Sequence, residues 1–129
     1  MRYSESYPVY FVMKMKFLLP LAWALVILVL CMLPQSDLPS ESWFGKIPYF
    51  DKLVHFGLYF VLFWTLHFVR PNALVTNVLI CIGYGILIEI LQKYLTTYRS
   101  AEVLDAVADA VGATFAAVST LVLKRRRFV

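Results

Sequence analysis

The sequence predicts an all-α, polytopic membrane protein with four transmembrane helices and both termini in the cytoplasm. Of its 129 residues, 61% are hydrophobic and only 16% are charged, and the mean hydropathy is +0.74. These values depart from those of soluble domains. Four apolar runs, each close to the roughly 20 residues that span a bilayer, account for this composition. They lie at residues 17–33, 53–69, 73–95 and 103–123.

The chain divides into one membrane domain with two short flanks. We expect residues 1–16 to form an N-terminal interfacial tail, residues 17–123 the four-helix domain and residues 124–129 a basic cytoplasmic tail. Met13 and Met15 are alternative starts, so no function is assigned to the leading stretch. The first apolar run lacks a small-x-small cleavage signal, which predicts a retained helix rather than a signal peptide.

The basic residues predict the orientation of the helices. Because four spans place both termini on one side, the charges of the connecting segments can be compared between the two sides. The side of the termini carries eight basic residues and the other side carries four, so the positive-inside rule places the termini in the cytoplasm. The first set is Arg2, Lys14, Lys16, Arg70 and Lys124 to Arg127, and the second is Lys46, Lys52, Lys93 and Arg99.

The formal net charge of +4 does not predict a nucleic-acid partner. A run of basic residues, 124–127, directly follows the last apolar stretch, as membrane-flanking basic residues do. The lipid bilayer is therefore the partner that this charge distribution favours.

Ionisable residues begin the second predicted helix. Asp51, His55 and Tyr59 are four residues apart, so on a helix their side chains share one face, and Lys52 lies beside the first of them. A carboxylate, an imidazole and a phenol at the start of an apolar run need polar partners. We therefore expect groups from other helices to meet them.

The third predicted helix carries a carboxylate inside its apolar run. Glu89 shares a face with Gly85, and Gln92 follows one turn later. An ionised carboxylate exposed to lipid at this depth would cost at least a few kcal/mol. Glu89 is therefore predicted to face the bundle, to be paired or to be protonated.

The fourth predicted helix supplies two more acids. Asp105 and Asp109 are four residues apart, and their face continues through Gly112 and Ala116, a stripe of small residues that favours close helix packing. The two acids are therefore expected to point into the bundle. Glu102 is interpreted only as a first-turn carboxylate that suits the positive end of the helix dipole.

Together these residues predict one polar site at the outer ends of three helices. The candidate catalytic residues are His55 and Asp105, and the candidate metal ligands are His55, Glu89, Asp105 and Asp109. The expected ligand-binding residues are Asp51, Lys52, His55, Tyr59, Glu89, Gln92, Arg99, Asp105 and Asp109.

This spaced set resembles the VanZ-like family of small bacterial membrane proteins. The resemblance covers most of the chain, from the first span through Gly112, and it implies the bacterial cytoplasmic membrane. The founding member of the family is associated with low-level resistance to the glycopeptide teicoplanin. At the position of Asp109 the family pattern most often has asparagine, and a second acid favours a cation or a protonated pair. No established reaction accompanies the family name.

Three functions are open at this point. The first is a non-enzymatic envelope protein whose polar site binds a lipid-linked cell-wall component or a glycopeptide, with Arg99 and Lys52 engaging an anionic head group. The second is a membrane-embedded hydrolase or transferase, in which His55 and the acids hold a divalent metal or His55 acts as general base. The third is a structural subunit whose polar groups set helix register. We favour the first function, and we do not favour a bound divalent metal. Because four short spans make a thin bundle, a homodimer is an alternative to a monomer.

Overall fold

Four α-helices form all the regular secondary structure in the described part of the chain. The computed structural model describes residues 7–34, 47–97 and 100–126. Each helix contains a stretch that is long and apolar enough to cross a membrane, which confirms the prediction of an all-helical chain with four candidate spans. The helices are α1 (Tyr7–Met32), α2 (Phe50–Val69), α3 (Leu74–Leu95) and α4 (Val103–Arg126).

Three helices extend beyond the predicted apolar runs, and of these α2 begins only three residues early, at Phe50. Helix α1 begins at Tyr7, within the stretch predicted as a tail, although its apolar span begins only at Lys14. Pro8 lies in its first turn, where proline has no hydrogen bond to lose. Helix α4 continues through Arg126, because lysine and arginine are good helix formers and their charges favour a helix C-terminus.

Contacts between helix termini define the two ends of the bundle. At one end, the Gln92 amide of α3 donates a hydrogen bond of 2.8 Å to the Cys31 carbonyl of α1, and Lys52 of α2 lies 2.5 Å from Asp105 of α4. We call this the polar end. The opposite end, which we call the basic end, carries Lys14, Lys16, Arg70, Lys124, Arg125 and Arg126.

The main contact in the bundle is between α2 and α4, and a glycine makes it possible. A Cβ atom at Gly112 would overlap the backbone carbonyl of Phe56, so the two helices meet backbone to backbone there. Ala113 and Ala116, which follow on α4, are both fully buried. The small-residue stripe thus brings the N-terminal halves of α2 and α4, with their ionisable residues, into register.

Hydrogen bonds between side chains and backbone carbonyls join α1 to α2 and α3. The Trp23 indole donates to the carbonyl of Leu58 in α2 at 2.9 Å, and the Tyr84 hydroxyl of α3 donates to the carbonyl of Ala24 at 2.6 Å. Leucine, isoleucine, valine and phenylalanine side chains cover the outer faces of all four helices. Such a surface suits lipid rather than water.

Candidate functional site

Seven ionisable side chains from α2, α3, α4 and the segment before α4 meet at the polar end. We call these side chains the polar cluster, and they form two layers. The outer layer is centred on Lys52 and the inner layer on His55. The members are Asp51, Lys52, His55, Glu89, Glu102, Asp105 and Asp109.

In the outer layer, the Lys52 ammonium is surrounded by carboxylates. Its Nζ atom lies 2.7 Å from Asp51 Oδ2 and 2.5 Å from Asp105 Oδ1, and it also contacts Glu102. Asp51 and Glu102 are exposed, whereas Asp105 is buried. The positive charge of Lys52 is thus already matched by acids, which leaves little of it for an anionic head group.

In the inner layer, His55 lies between two buried acids. Its Nδ1 atom is 2.9 Å from Asp109 Oδ1, within hydrogen-bond distance, and its Nε2 atom is 3.7 Å from Asp105 Oδ2. The side chains of His55 and Asp109 are 4% and 1% exposed. Asp105 therefore faces both layers, with one oxygen toward Lys52 and the other toward His55.

Glu89 joins α3 to the start of α4. Its Oε2 atom accepts a hydrogen bond of 2.9 Å from the backbone N–H of Glu102, one of the N–H groups near a helix start that have no partner within the helix. The residue is only 7% exposed, and its Oε1 atom has no hydrogen-bond partner among the described residues. One oxygen of Glu89 thus has a structural role and the other is unused.

Asp109 also has one unused oxygen. Its Oδ2 atom has no hydrogen-bond partner in the described part of the chain, and the residue is fully buried. A Cβ atom at Gly85 would lie 2.8 Å from this oxygen, so the glycine of α3 provides the room in which the carboxylate sits. A buried polar atom without a partner costs free energy, and such atoms are found where a bound ligand or a functional role compensates for that cost.

Three other predicted residues have different surroundings. Gln92 is buried and its amide bonds the end of α1, so it joins helices at the polar end. Tyr59 is fully buried one turn below His55, and its hydroxyl has no hydrogen-bond partner among the described residues. Arg99 lies outside the described residues.

The donor groups fall into two sets with metal-ligand spacing. His55, Glu89 and Asp109 are all buried and offer ligand atoms within 4.8 Å of one another. Asp51, Glu102 and Asp105 form a second such set, but Lys52 already lies among them. Asp105 thus belongs to the second set, although its other oxygen lies 3.7 Å from His55 Nε2.

Glu102 is the member of the cluster that sequence reasoning did not include. Its position in the sequence predicts only a carboxylate that suits the positive end of the helix dipole. In the structure, its carboxylate contacts Lys52 and its backbone N–H donates a hydrogen bond to Glu89. The signal was its spacing of three residues from Asp105, which places both acids on one side of a helix start. The catalytic roles suggested for His55 and Asp105 stay predictions.

One curated protein resembles part of this chain. A fission yeast (Schizosaccharomyces pombe) protein, described only as uncharacterized, is 31% identical over 86 residues, which cover 63% of this chain and 52% of the relative. The chain thus spans about half the length of the relative it matches. No protein-family model and no solved structure matches the chain.

Proposed function

We propose that this chain is a VanZ-like, multi-pass membrane protein that binds a lipid-linked cell-envelope component at its polar end and contributes to tolerance of teicoplanin-type glycopeptides. The observation that carries the proposal is the buried inner layer, where His55, Glu89 and Asp109 converge from three helices. Ionisable groups within a membrane span are expensive and generally serve a function. The family assignment rests on the spaced polar residues described above.

The proposal places the chain in a bacterial cytoplasmic membrane with its basic end in the cytoplasm. Lys14, Lys16, Arg70 and the basic residues of the α4 terminus lie at that end, as the positive-inside rule requires. At the polar end, the ionisable residues Glu89 and Asp109 are buried, while the surface of the helices is apolar. The polar end then faces the outside, where lipid-linked cell-wall components are used.

Labelling with a membrane-impermeant maleimide tests this orientation. Ser100 is exposed near the polar end and Asn72 is exposed near the basic end, so each can carry a single cysteine after Cys31 and Cys81, both buried, are changed to alanine. We expect Ser100→Cys to be labelled in intact cells and Asn72→Cys only after permeabilisation. The reverse pattern would place the polar end in the cytoplasm and exclude an extracytoplasmic ligand.

The ligand is expected to reach the cluster from the outer layer. Asp51 and Glu102 are exposed there, whereas His55, Glu89 and Asp109 lie deeper. Since five carboxylates face one lysine and one histidine, the cluster has an excess of negative charge unless protons or a cation neutralise it. A positively charged group, or an anionic group accompanied by a cation, therefore suits the site best.

Survival of a teicoplanin-sensitive Gram-positive host that expresses the chain tests the function. We expect the wild type to protect, and Asp105→Asn and Glu89→Gln to lower the inhibitory concentration to that of the empty vector, because each removes a charge from the cluster. Lys93→Gln is the matched control, since Lys93 is exposed near the same end and contacts only the Tyr94 ring among the described residues.

Membrane abundance has to be matched by quantitative blot before survival is compared. Equal protection by all forms, or by none, would contradict the proposed function. Variants that fail to accumulate would instead indicate that the cluster holds the bundle together.

A further inference from the structure

The inner layer contains more ligand atoms than its own residues use. His55 Nδ1 and Asp109 Oδ1 are 2.9 Å apart, and Glu89 Oε2 accepts one backbone hydrogen bond. Asp109 Oδ2 and Glu89 Oε1 have no hydrogen-bond partner in the described part of the chain, although both residues are more than nine-tenths buried. Two carboxylates in this position need a positive partner or a proton.

The one lysine of the cluster is occupied elsewhere. Lys52 Nζ contacts Asp51, Glu102 and Asp105, all in the outer layer. The outer acids thus already hold a cation, supplied by the chain itself. The inner set has the same spacing of donor atoms but no such ammonium among its described contacts.

We propose that His55, Glu89 and Asp109 bind one divalent transition-metal ion of the Zn²⁺ or Mn²⁺ type. Their donor atoms lie within 4.8 Å of one another. Small movements of the side chains would therefore bring all three to within about 2.0–2.2 Å of one ion, the usual length of zinc–nitrogen and zinc–oxygen bonds. Imidazole favours zinc and iron, and carboxylate also accepts manganese, whereas calcium and magnesium prefer oxygen ligands only.

The surroundings of His55 suit a metal ligand. With its proton on Nε2, the ring would offer Nδ1, the nitrogen that faces Asp109, to the ion, while Nε2 lies 3.7 Å from an Asp105 oxygen. A carboxylate near the second ring nitrogen orients metal-binding histidines and fixes their tautomer. At 3.7 Å the Asp105 carboxylate lies beyond hydrogen-bond distance of Nε2, so it acts on the ring only through its charge and is not among the three proposed ligands.

The metal would complete the binding site of the proposed function, on which this inference rests. Three protein ligands leave a coordination position open, as in zinc sites that take a water or a substrate atom. An oxygen of an anionic envelope component would bind there, although the cluster itself is acidic. Metal binding and survival on teicoplanin are measured separately, so either can fail without the other.

Metal content of the purified full-length protein tests the site. The protein in detergent micelles is stripped with a chelator, supplied with Zn²⁺ or Mn²⁺, desalted and analysed by mass spectrometry for bound metal. We expect about one ion per chain, and at least a tenfold loss of affinity in Glu89→Gln and Asp109→Asn, since outer partners alone change affinity by about 10–100-fold. Asp51→Asn, which alters the outer set only, is expected to keep the ion.

Cobalt absorption gives a second readout that needs no variant. Co²⁺ bound through an imidazole and carboxylates absorbs in the visible range, and addition of Zn²⁺ should abolish that spectrum. If Glu89→Gln or Asp109→Asn does not fold, the wild-type cobalt spectrum and a higher melting temperature with Zn²⁺ decide the question. A wild-type protein that retains no metal and shows neither effect overturns the proposal, as does a metal lost equally in Asp51→Asn.

Discussion

Replacing Gly112 with alanine is expected to destabilise the bundle by about 1–3 kcal/mol or more. The new methyl group would overlap the backbone carbonyl of Phe56, and a backbone atom of a helix cannot rotate away as a side chain can. The contact between α2 and α4 would have to widen along its whole length. Because Lys52 and His55 reach their α4 partners across this contact, the polar cluster would loosen with it.

Gly57→Ala and Gly83→Ala are the matched controls. Nothing lies within 4 Å of a Cβ atom at either position, and both are within helices, where alanine is favoured over glycine by about 0.5–1 kcal/mol. Thermal unfolding of the three variants in the same detergent measures the effect. Equal melting temperatures for Gly112→Ala and the two controls would show that α2 and α4 do not meet as closely as the structure places them.

Changing His55 alone is expected to cost about 3–5 kcal/mol of stability, because His55→Leu leaves the buried Asp109 carboxylate without its hydrogen-bond partner. The double variant His55→Leu with Asp109→Val should recover a large part of this loss. Replacing both partners of a buried pair with apolar residues is often neutral, whereas removing one is not. A double-mutant cycle on the free energy of unfolding measures the coupling.

The same double variant separates the structural hypothesis from the functional one. If the polar cluster serves only to set helix register, a double variant that folds normally should protect cells as the wild type does. If the inner layer is a binding site, the double variant should accumulate in the membrane and fail to protect. Additive losses of stability in the cycle would mean that His55 and Asp109 do not interact.

Much of the site could be predicted from local spacing. Asp105 and Asp109 are one helical turn apart in the sequence, and the structure buries both. Glu89 is likewise buried, as the cost of a carboxylate in lipid predicts. What spacing could not provide was the partner of each group, since an i, i+4 pattern defines a face but not the residue opposite it.

The sequence by itself determined the four apolar helices, because length and hydropathy alone decide whether a segment can cross a bilayer. Only the tertiary structure decided the division of the acids into two layers. That division depends on the depth at which α2 and α4 meet, which Gly112 and the Phe56 carbonyl set, and on the reach of Lys52 to Glu102, fifty residues away. Contacts between distant residues follow from packing, and no local pattern encodes their geometry.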